Sequence, residues 1–300
     1  MQLRSGGLDA QLPTFDLQSH SRQSDGELAP REVVAAARAA GVEMLALTDH
    51  DTVAGIPEAA AAAAELAIRL VPAVEVSAID QDHLDLHILG YLIDDRSPLL
   101  AQRLQGYRLQ RRERASAMAQ AIRDVGFELE ESLLADRASR GQSVGRPHLA
   151  EAVVAHPANA ERLAEERCQD PSEFLEAYLV EGRPAFRARS GPSVRDAIEA
   201  IHEAEGLAVW AHPFFDVSEP RRVLETIDRF RAAGIDGVEC FYVTHTREQT
   251  ELLADRCVEL GLLSTGSSDF HGPRHRDLSR FRAFCTYGHE PRLGPIGSAG

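Results

Sequence analysis

The chain is short of cysteine, of long apolar runs and of positive charge. Only four of its 300 residues are cysteines, Cys168, Cys240, Cys257 and Cys285, and none forms a C-x-x-C pair. That spacing argues against a zinc–thiolate site and a dithiol redox motif and points to isolated, reduced thiols. No uninterrupted apolar stretch approaches the roughly 18 residues needed to span a bilayer. The opening MQLRSGGLDAQLPTFDL lacks the apolar centre of a secretory signal. A cytoplasmic location with no membrane partner is therefore expected. Lysine and arginine number 32 against 47 acids, a formal charge of −15. Non-specific nucleic-acid binding needs an extended basic surface, so that class is disfavoured. A small phosphorylated substrate stays open, because bound cations reverse the field locally. No repeat of fixed period is visible, and no low-complexity tract beyond one alanine-rich helix.

What is present is an ordinary globular composition, 44% hydrophobic and 26% charged. From Phe15 the order reads strand, loop, helix, strand, loop, helix. PREVVAAARAAGV has Pro30 near a helix start and Gly41 just past its end. EMLALTDH is a short apolar strand with a polar tip, GIPEAAAAAAELAIRL a second helix, and VPAVEVSAI and LDLHILGYLI further strands. This alternation predicts parallel strands with crossover helices. From about Asp94 the rhythm changes to helical, Arg- and Glu-rich sequence, and it resumes at SVRDAIEAIHEAEG. The predicted organisation is a leader over 1–14, expected to fray, an α/β unit over 15–94 and 190–288, and an inserted helical subdomain over 95–189. The arginines at 103, 108, 111, 112 and 114 read as a solvated helix face, and EPRLGPIGSAG as a frayed end.

The polar residues fall at strand tips. His20 and Asp25 follow the first strand in FDLQSHSRQSDG, and Asp49, His50 and Asp51 end the second. Glu75 ends the third, His87 lies in DLHILGY, His212 ends AVWAHP, and Asp269 and His271 end SSDFHG. In a parallel barrel the carboxyl ends of all strands share one face. Imidazole and carboxylate together suit zinc, manganese or iron, and the absence of thiolates argues against structural zinc. Glu75 is the candidate to bridge two cations. Such a pair, about 3.5–4 Å apart, supplies a nucleophile and polarises a phosphoryl oxygen. Asp51 reads as the cap of the following helix, Trp210 as core, and Asp16 either as a partner orienting a ligand histidine or as a cap.

Five ordered motifs, DLQSHSRQSDG, LTDHDT, VEVS, AHP and SDFHG, resemble those of the PHP (polymerase and histidinol phosphatase) family of metal-dependent phosphoesterases. The likeness runs from about Phe15 to Gly288. It implies an α/β fold, a distorted seven-stranded (β/α)7 TIM-like barrel. The insertion carrying GRPHLA resembles that of the subgroup acting on nucleoside 3′,5′-bisphosphates and trimming short RNA from the 5′ end. The resemblance implies three metal positions: His20, Glu75 and Asp269; Glu75, His87 and His212; and Asp25, His50 and His271. His87, which precedes ILGY, is preferred to His83. Arg146, His148 and His245 would reach a substrate phosphate, and His212 or His271 would assist the leaving alcohol. The family pattern has His where this chain has Gln18, so a weaker first metal position is expected.

The expected activity is hydrolysis of a phosphomonoester, the 3′-phosphate of a nucleoside 3′,5′-bisphosphate, with 5′-3′ trimming of short RNA a second activity of the same site. Two or three divalent ions per chain are expected, manganese first, with zinc, iron(II) and magnesium as alternatives. The alternatives for function are a histidinol-phosphate, nucleoside monophosphate or other small phosphomonoester phosphatase, and a metal-binding regulator of weak catalysis. The partner is a small phosphorylated nucleotide or short RNA, with no stable protein partner.

Overall fold

The computed structural model describes residues 13–80, 85–139, 144–188 and 191–298; His83 and most of the predicted leader lie outside them. Seven strands form one sheet in the order β1 to β7: β1 Phe15–Asp16, β2 Met44–Leu47, β3 Arg69–Ile79, β4 Asp85–Tyr91, β5 Leu207–Trp210, β6 Gly237–Tyr242 and β7 Leu263–Ser267. The sheet comes round on itself. Leu17 N–H donates to Gly266 O at 3.2 Å, and Ser19 bridges Phe270 in parallel. The result is the distorted TIM-like barrel that the motifs imply.

The barrel helices form where the sequence caps them. In α1 (Pro30–Ala39), Pro30 opens the helix, Val33, Val34 and Ala37 face inward, and Gly41 takes a left-handed φ of 81° just beyond the end. Helix α2 (Ile56–Leu66) buries Ala59, Ala62 and Ala63, small residues that let it lie close to the sheet. The helices between the two sheet segments are α3 Pro98–Asp124, α4 Glu131–Ser139, α5 Arg146–Ala155, α6 Ala160–Glu165 and α7 Pro171–Phe174. Those that return to the barrel are α8 Val194–Glu203, α9 Pro213–Asp216, α10 Pro220–Ala233 and α11 Arg247–Leu260, with α12 Pro295–Ser298 at the end. Among the described residues no helix is long and apolar enough to cross a membrane.

Three features differ from the sequence expectation. Strand β4 runs antiparallel to both β3 and β5. Only five residues of sequence separate Ile79 from Asp85, and so short a connection cannot return a strand in parallel. The C-terminal stretch is packed through its described residues: Ile296 is buried in the barrel core, and Arg292 O accepts from Ser264 N–H at 3.1 Å. Asp51 does not cap α2, whose N-cap is Gly55; its Oδ1 accepts from Ser77 N–H instead.

Helix α3 belongs to two cores. Leu100 and Leu104 in its first half pack with the barrel, whereas Met118, Ala121 and Ile122 in its second half pack with Phe127, Leu149, Leu163 and Phe174. A third cluster, between α1, α2 and the sheet, takes Phe270 and Phe281 from beyond β7. The helical segment is thus held across the carboxyl ends of the strands by a shared helix rather than by a hinge.

The seam between β1 and β7 depends on Asp16. Its carboxylate accepts Ser268 N–H at 2.9 Å, Ser268 Oγ–H at 2.6 Å and Arg282 N–H at 2.8 Å. Replacing Asp16 by alanine leaves three donors without an acceptor at a buried place, and the loss in unfolding free energy by urea titration is expected to be about 2–5 kcal/mol. Burial pushes the Asp16 carboxyl up to about 7 from 3.8, against the donors that lower it. The folded state therefore holds this proton more tightly, and the group's contribution to stability falls as pH rises from about 4 to about 7. The stability difference between the native chain and Asp16→Asn is expected to shrink over that window and stay constant above it.

Candidate metal centre

The carboxyl ends of the parallel strands and the first half of the antiparallel β4 meet at Glu75, which lies inside β3 rather than at its end as the sequence suggests, and whose side chain is fully buried. Desolvating a carboxylate costs several kcal/mol unless opposite charge or donors compensate. Here imidazoles surround it. His20 Nε2 lies 3.0 Å from Oε2, His50 Nδ1 3.7 Å from Oε2, His87 Nδ1 2.8 Å from Oε1, and His212 Nε2 3.4 Å from Oε1. Burial alone would raise the Glu75 carboxyl, but the charges of His50 and His87 and the contacts of His20 and His212 hold it well below the usual range.

The remaining acids flank this centre. Asp269 Oδ1 is 3.1 Å from His20 Nε2, and Asp25 stands 3.5 Å from His50 Nε2 and 3.6 Å from both His20 Nδ1 and His271 Nε2. The four rings form a chain of contacts: His271 to His20 at 4.3 Å, His20 to His50 at 4.6 Å and His50 to His87 at 4.8 Å between centroids. His212 meets His87 edge-on at 5.3 Å.

The loops are fixed from below. Asp49 accepts Ser21 N–H at 2.7 Å, Ser21 Oγ–H at 2.7 Å and Ser24 Oγ–H at 2.8 Å, which shapes the loop between His20 and Asp25. A Cβ at Gly26 would stand 2.3 Å from the His20 carbonyl oxygen, so only glycine lets that loop close. His271 Nδ1–H donates to the Asp269 carbonyl at 2.8 Å, which leaves Nε2 as the lone pair facing Asp25. His212 sits at a left-handed φ of 30°, and its N–H donates to Glu239 at 2.9 Å.

These residues fit divalent cations. His20 Nε2, His50 Nδ1, His212 Nδ1 and Asp269 Oδ1 are buried without a hydrogen-bond partner, although acids and imidazoles stand within 4 Å of each of them. Donor atoms that converge without hydrogen-bond geometry are what an ion would satisfy. Among the described residues, ligand atoms cluster in three groups: His20, Asp25, His50 and His271; His50, Glu75 and His87; and His20, Glu75 and Asp269. The last is the first set that the motifs imply. In the other two His20 and His50 each join an extra group, and His212 stands beside the second, 3.4 Å from His87 Nδ1.

Gln18 is buried at the same place. Its Nε2 donates to Glu75 Oε2 at 3.0 Å, and its Oε1 stands 3.3 Å from Ser267 Oγ. The amide faces the carboxylate as a donor, so it offers that carboxylate no lone pair to share with an ion. Two other residues were not singled out by sequence. Glu239, beneath His212, accepts Ser267 Oγ–H at 2.6 Å, and burial pushes its carboxyl up to about 8. Tyr242 Oη–H donates to Asp269 Oδ2 at 2.8 Å. Glu239 could have been found as the one acid inside the otherwise apolar strand GVECFY.

Over the cage lies a cleft of about 280 Å³, with Asp25, His50 and His87 on one wall. The opposite wall belongs to the helical segment: Arg111, Arg114, Ala115 and Met118 from α3, and Gly145, Arg146, Pro147 and His148 at the start of α5. Arg111 and Arg114 thus face the cleft rather than open solvent, because α3 crosses the mouth. His148 Nδ1 accepts the Gly145 N–H at 3.0 Å, and burial lowers its imidazole to about 4. It is therefore neutral at pH 7, with its proton on Nε2. His245 is not on this wall. It is buried against Tyr242 and Phe214, and its Nδ1–H donates to Cys240 O at 3.1 Å.

The PHP domain profile matches residues 16–130. A Chromobacterium violaceum 3′,5′-nucleoside bisphosphate phosphatase is 36% identical over 293 residues, covering 95% of this chain and 94% of that protein. A Haemophilus influenzae 5′-3′ exoribonuclease is 34% identical over 259 residues, covering 86% and 90%. Among solved structures, a Chromobacterium violaceum amidohydrolase with bound sulfate and no metal superposes with a TM-score of 0.76 at 31% identity, covering 95% of this chain and 93% of that one.

Two outcomes test the cage. Against burial, contacts with Asp269 and Glu75 hold the His20 imidazole well above 6.5, and Glu75 and Asp216 hold His212 at about 10. Cations must displace those protons, so titrating Mn²⁺ into the apo protein near pH 7 is expected to release protons. Calorimetry in buffers of different ionisation heat would read this, and equal heats in all buffers would refute it. Gln18→His, which replaces a donor by a lone pair, is expected to tighten Mn²⁺ binding by about ten- to a hundredfold, measured by the same titration.

Proposed function

Because the chain belongs to the PHP domain family and is a metal-dependent phosphoesterase, we propose that it hydrolyses the 3′-phosphate of nucleoside 3′,5′-bisphosphates and trims short RNA from the 5′ end at the same site. The observation that carries this reading is a cleft with chemically opposite walls. Carboxylates and imidazoles line one side, and Arg146 and His148 the other. A substrate with one phosphoryl group at the cage and a second anionic group beyond it meets both.

On this reading the ligands divide into His20, Glu75 and Asp269; Glu75, His87 and His212; and Asp25, His50 and His271, with manganese the proposed ion. Bound there, divalent ions supply a nucleophile at neutral pH and neutralise charge on the phosphoryl oxygens. The chain's own groups do the rest. Arg146 offers a planar fork of N–H donors to a phosphate, and His148 offers its Nε2–H. Tyr242 and Glu239 hold Asp269 and the His212 backbone so that the cage keeps its shape. Proton delivery to the leaving alcohol is assigned to His212 or His271, in the state where that imidazole is not holding an ion. Of the two, His271 is the more open to solvent, its side chain 13% exposed against 4%.

A screen of the Mn²⁺-loaded protein against adenosine 3′,5′-bisphosphate, adenosine monophosphates, histidinol phosphate and a short 5′-phosphorylated RNA tests the reading. The bisphosphate is expected to give the highest kcat/KM, with inorganic phosphate and the 5′-monophosphate as products. A preference for histidinol phosphate would sink it. Glu75→Gln removes the shared charge at the centre and is expected to lower kcat by about a thousandfold or more, with bound manganese falling in parallel by elemental analysis.

A further inference from the structure

The arginine wall is richer than the proposed reaction alone needs. Positions 111 and 114 are three apart on α3 and share one helix face. That face meets the start of α5, so the guanidiniums of Arg111, Arg114 and Arg146 line one cleft opposite the cage. Three like charges gathered in a partly buried place repel one another. Burial, then Arg146 and Arg111, lower the Arg114 guanidinium to about 10. A chain carrying 15 excess negative charges has no general surplus of arginine to place there.

Each arginine is held in a different way. Arg111 Nη2 lies 2.8 Å from Asp51 Oδ2 and also contacts Ser77 Oγ, which anchors α3 to the strand tips. Arg114 gives its Nε–H to the Arg187 carbonyl at 3.0 Å, and its guanidinium carbon stands 5.9 Å from the centre of the Phe186 ring. These contacts fix the side chain by its Nε edge and hold no carboxylate against it. A doubly charged oxyanion between Arg114 and Arg146 would offset the repulsion and accept from more than one fork.

We propose that Arg114, with Arg111 and Arg146, forms a subsite for the substrate's second, non-reacting phosphate, and that Arg114 is the residue that selects substrates with two phosphates over those with one. The proposal deepens the phosphatase reading and rests on it for the identity of the substrate. Arg114 is a specificity residue here: it binds the phosphate that stays, and no bond to that phosphate is made or broken.

The test compares the native protein with Arg114→Met and Arg114→Lys, all Mn²⁺-loaded, on adenosine 3′,5′-bisphosphate and adenosine 3′-monophosphate. For Arg114→Met, KM for the bisphosphate is expected to rise about tenfold or more with kcat within about twofold, while kcat/KM for the 3′-monophosphate stays within about twofold. Arg114→Lys, which keeps the charge but loses the fork, is expected to fall between. Equal losses on both substrates, or no loss on the bisphosphate, would overturn the subsite and leave the phosphatase reading standing. Thermal midpoints within a few degrees of the native protein establish that both variants fold. If the native protein does not hydrolyse the bisphosphate, inorganic phosphate binding to the metal-free proteins, read by calorimetry, decides. A roughly tenfold weaker affinity in Arg114→Met keeps the anion subsite, and an unchanged affinity removes it.

Discussion

One desolvated charge organises this protein. The Glu75 carboxylate lies at zero exposure near the axis of a barrel, and nothing apolar could neutralise it. Four imidazoles and an amide, contributed by β1, β2, β4 and β5 or the loops after them, surround it instead. Each of those strands must end at the right height and in the right register for its side chain to arrive. The antiparallel pairing of β3 with β4 serves that need. It places Ser77 opposite His87, so that His87 reaches Glu75 from the neighbouring strand.

The same logic extends outward. Ligand atoms that point at one another are held by groups that do not touch the centre: Asp49 under the His20 loop, Glu239 under His212, Tyr242 under Asp269, Asp16 under the tip of β7. Glu239 is kept largely protonated near neutral pH by burial, so this supporting carboxyl adds little negative charge to a region already holding Asp25, Glu75 and Asp269. A cage built this way is stiff before any ion arrives, which is the condition for binding one without reorganisation.

Much of this was legible in the chain. A ligand-type residue on each of six strands or just after it is independent of any one loop's spacing, and all eight proposed ligands do converge, although Glu75 and His87 lie within their strands rather than at the ends. What escaped was direction and context. Nothing in LDLHILGYLI encodes whether a strand runs up or down; only the length of the connection does. The arginines of α3 look the same whether they face water or a cleft, because a helix shows its charge pattern and hides what is laid across it. Arg103 pairs with Glu203, Arg108 reaches the Asp51 carbonyl, and Arg111 and Arg114 line the cleft, three fates for one apparently uniform face. The tail after Gly288 read as frayed, yet Ile296 is buried in the barrel core, Leu293 packs against it, and Ser264 and Arg69 donate to backbone carbonyls of the tail.

The two walls of the cleft are not independent parts set side by side. Asp51 joins them. Its N–H donates to the Glu75 carbonyl at 2.8 Å and its Oδ1 takes Ser77 N–H, which sets the tips of β2 and β3; its Oδ2 pairs with Arg111 and its carbonyl with Arg108, which sets α3. The residue before it is His50, which stands between Asp25 and Glu75 in the cage. A shift of α3 would therefore pull on the backbone that carries a proposed ligand, and a shift of the cage would move the arginine wall. Because Asp51 is 1% exposed, water cannot substitute for either set of contacts. The distance between the cation side and the anion side of the cleft is thereby fixed by one buried carboxylate, and that distance is what a substrate with two charged ends has to match.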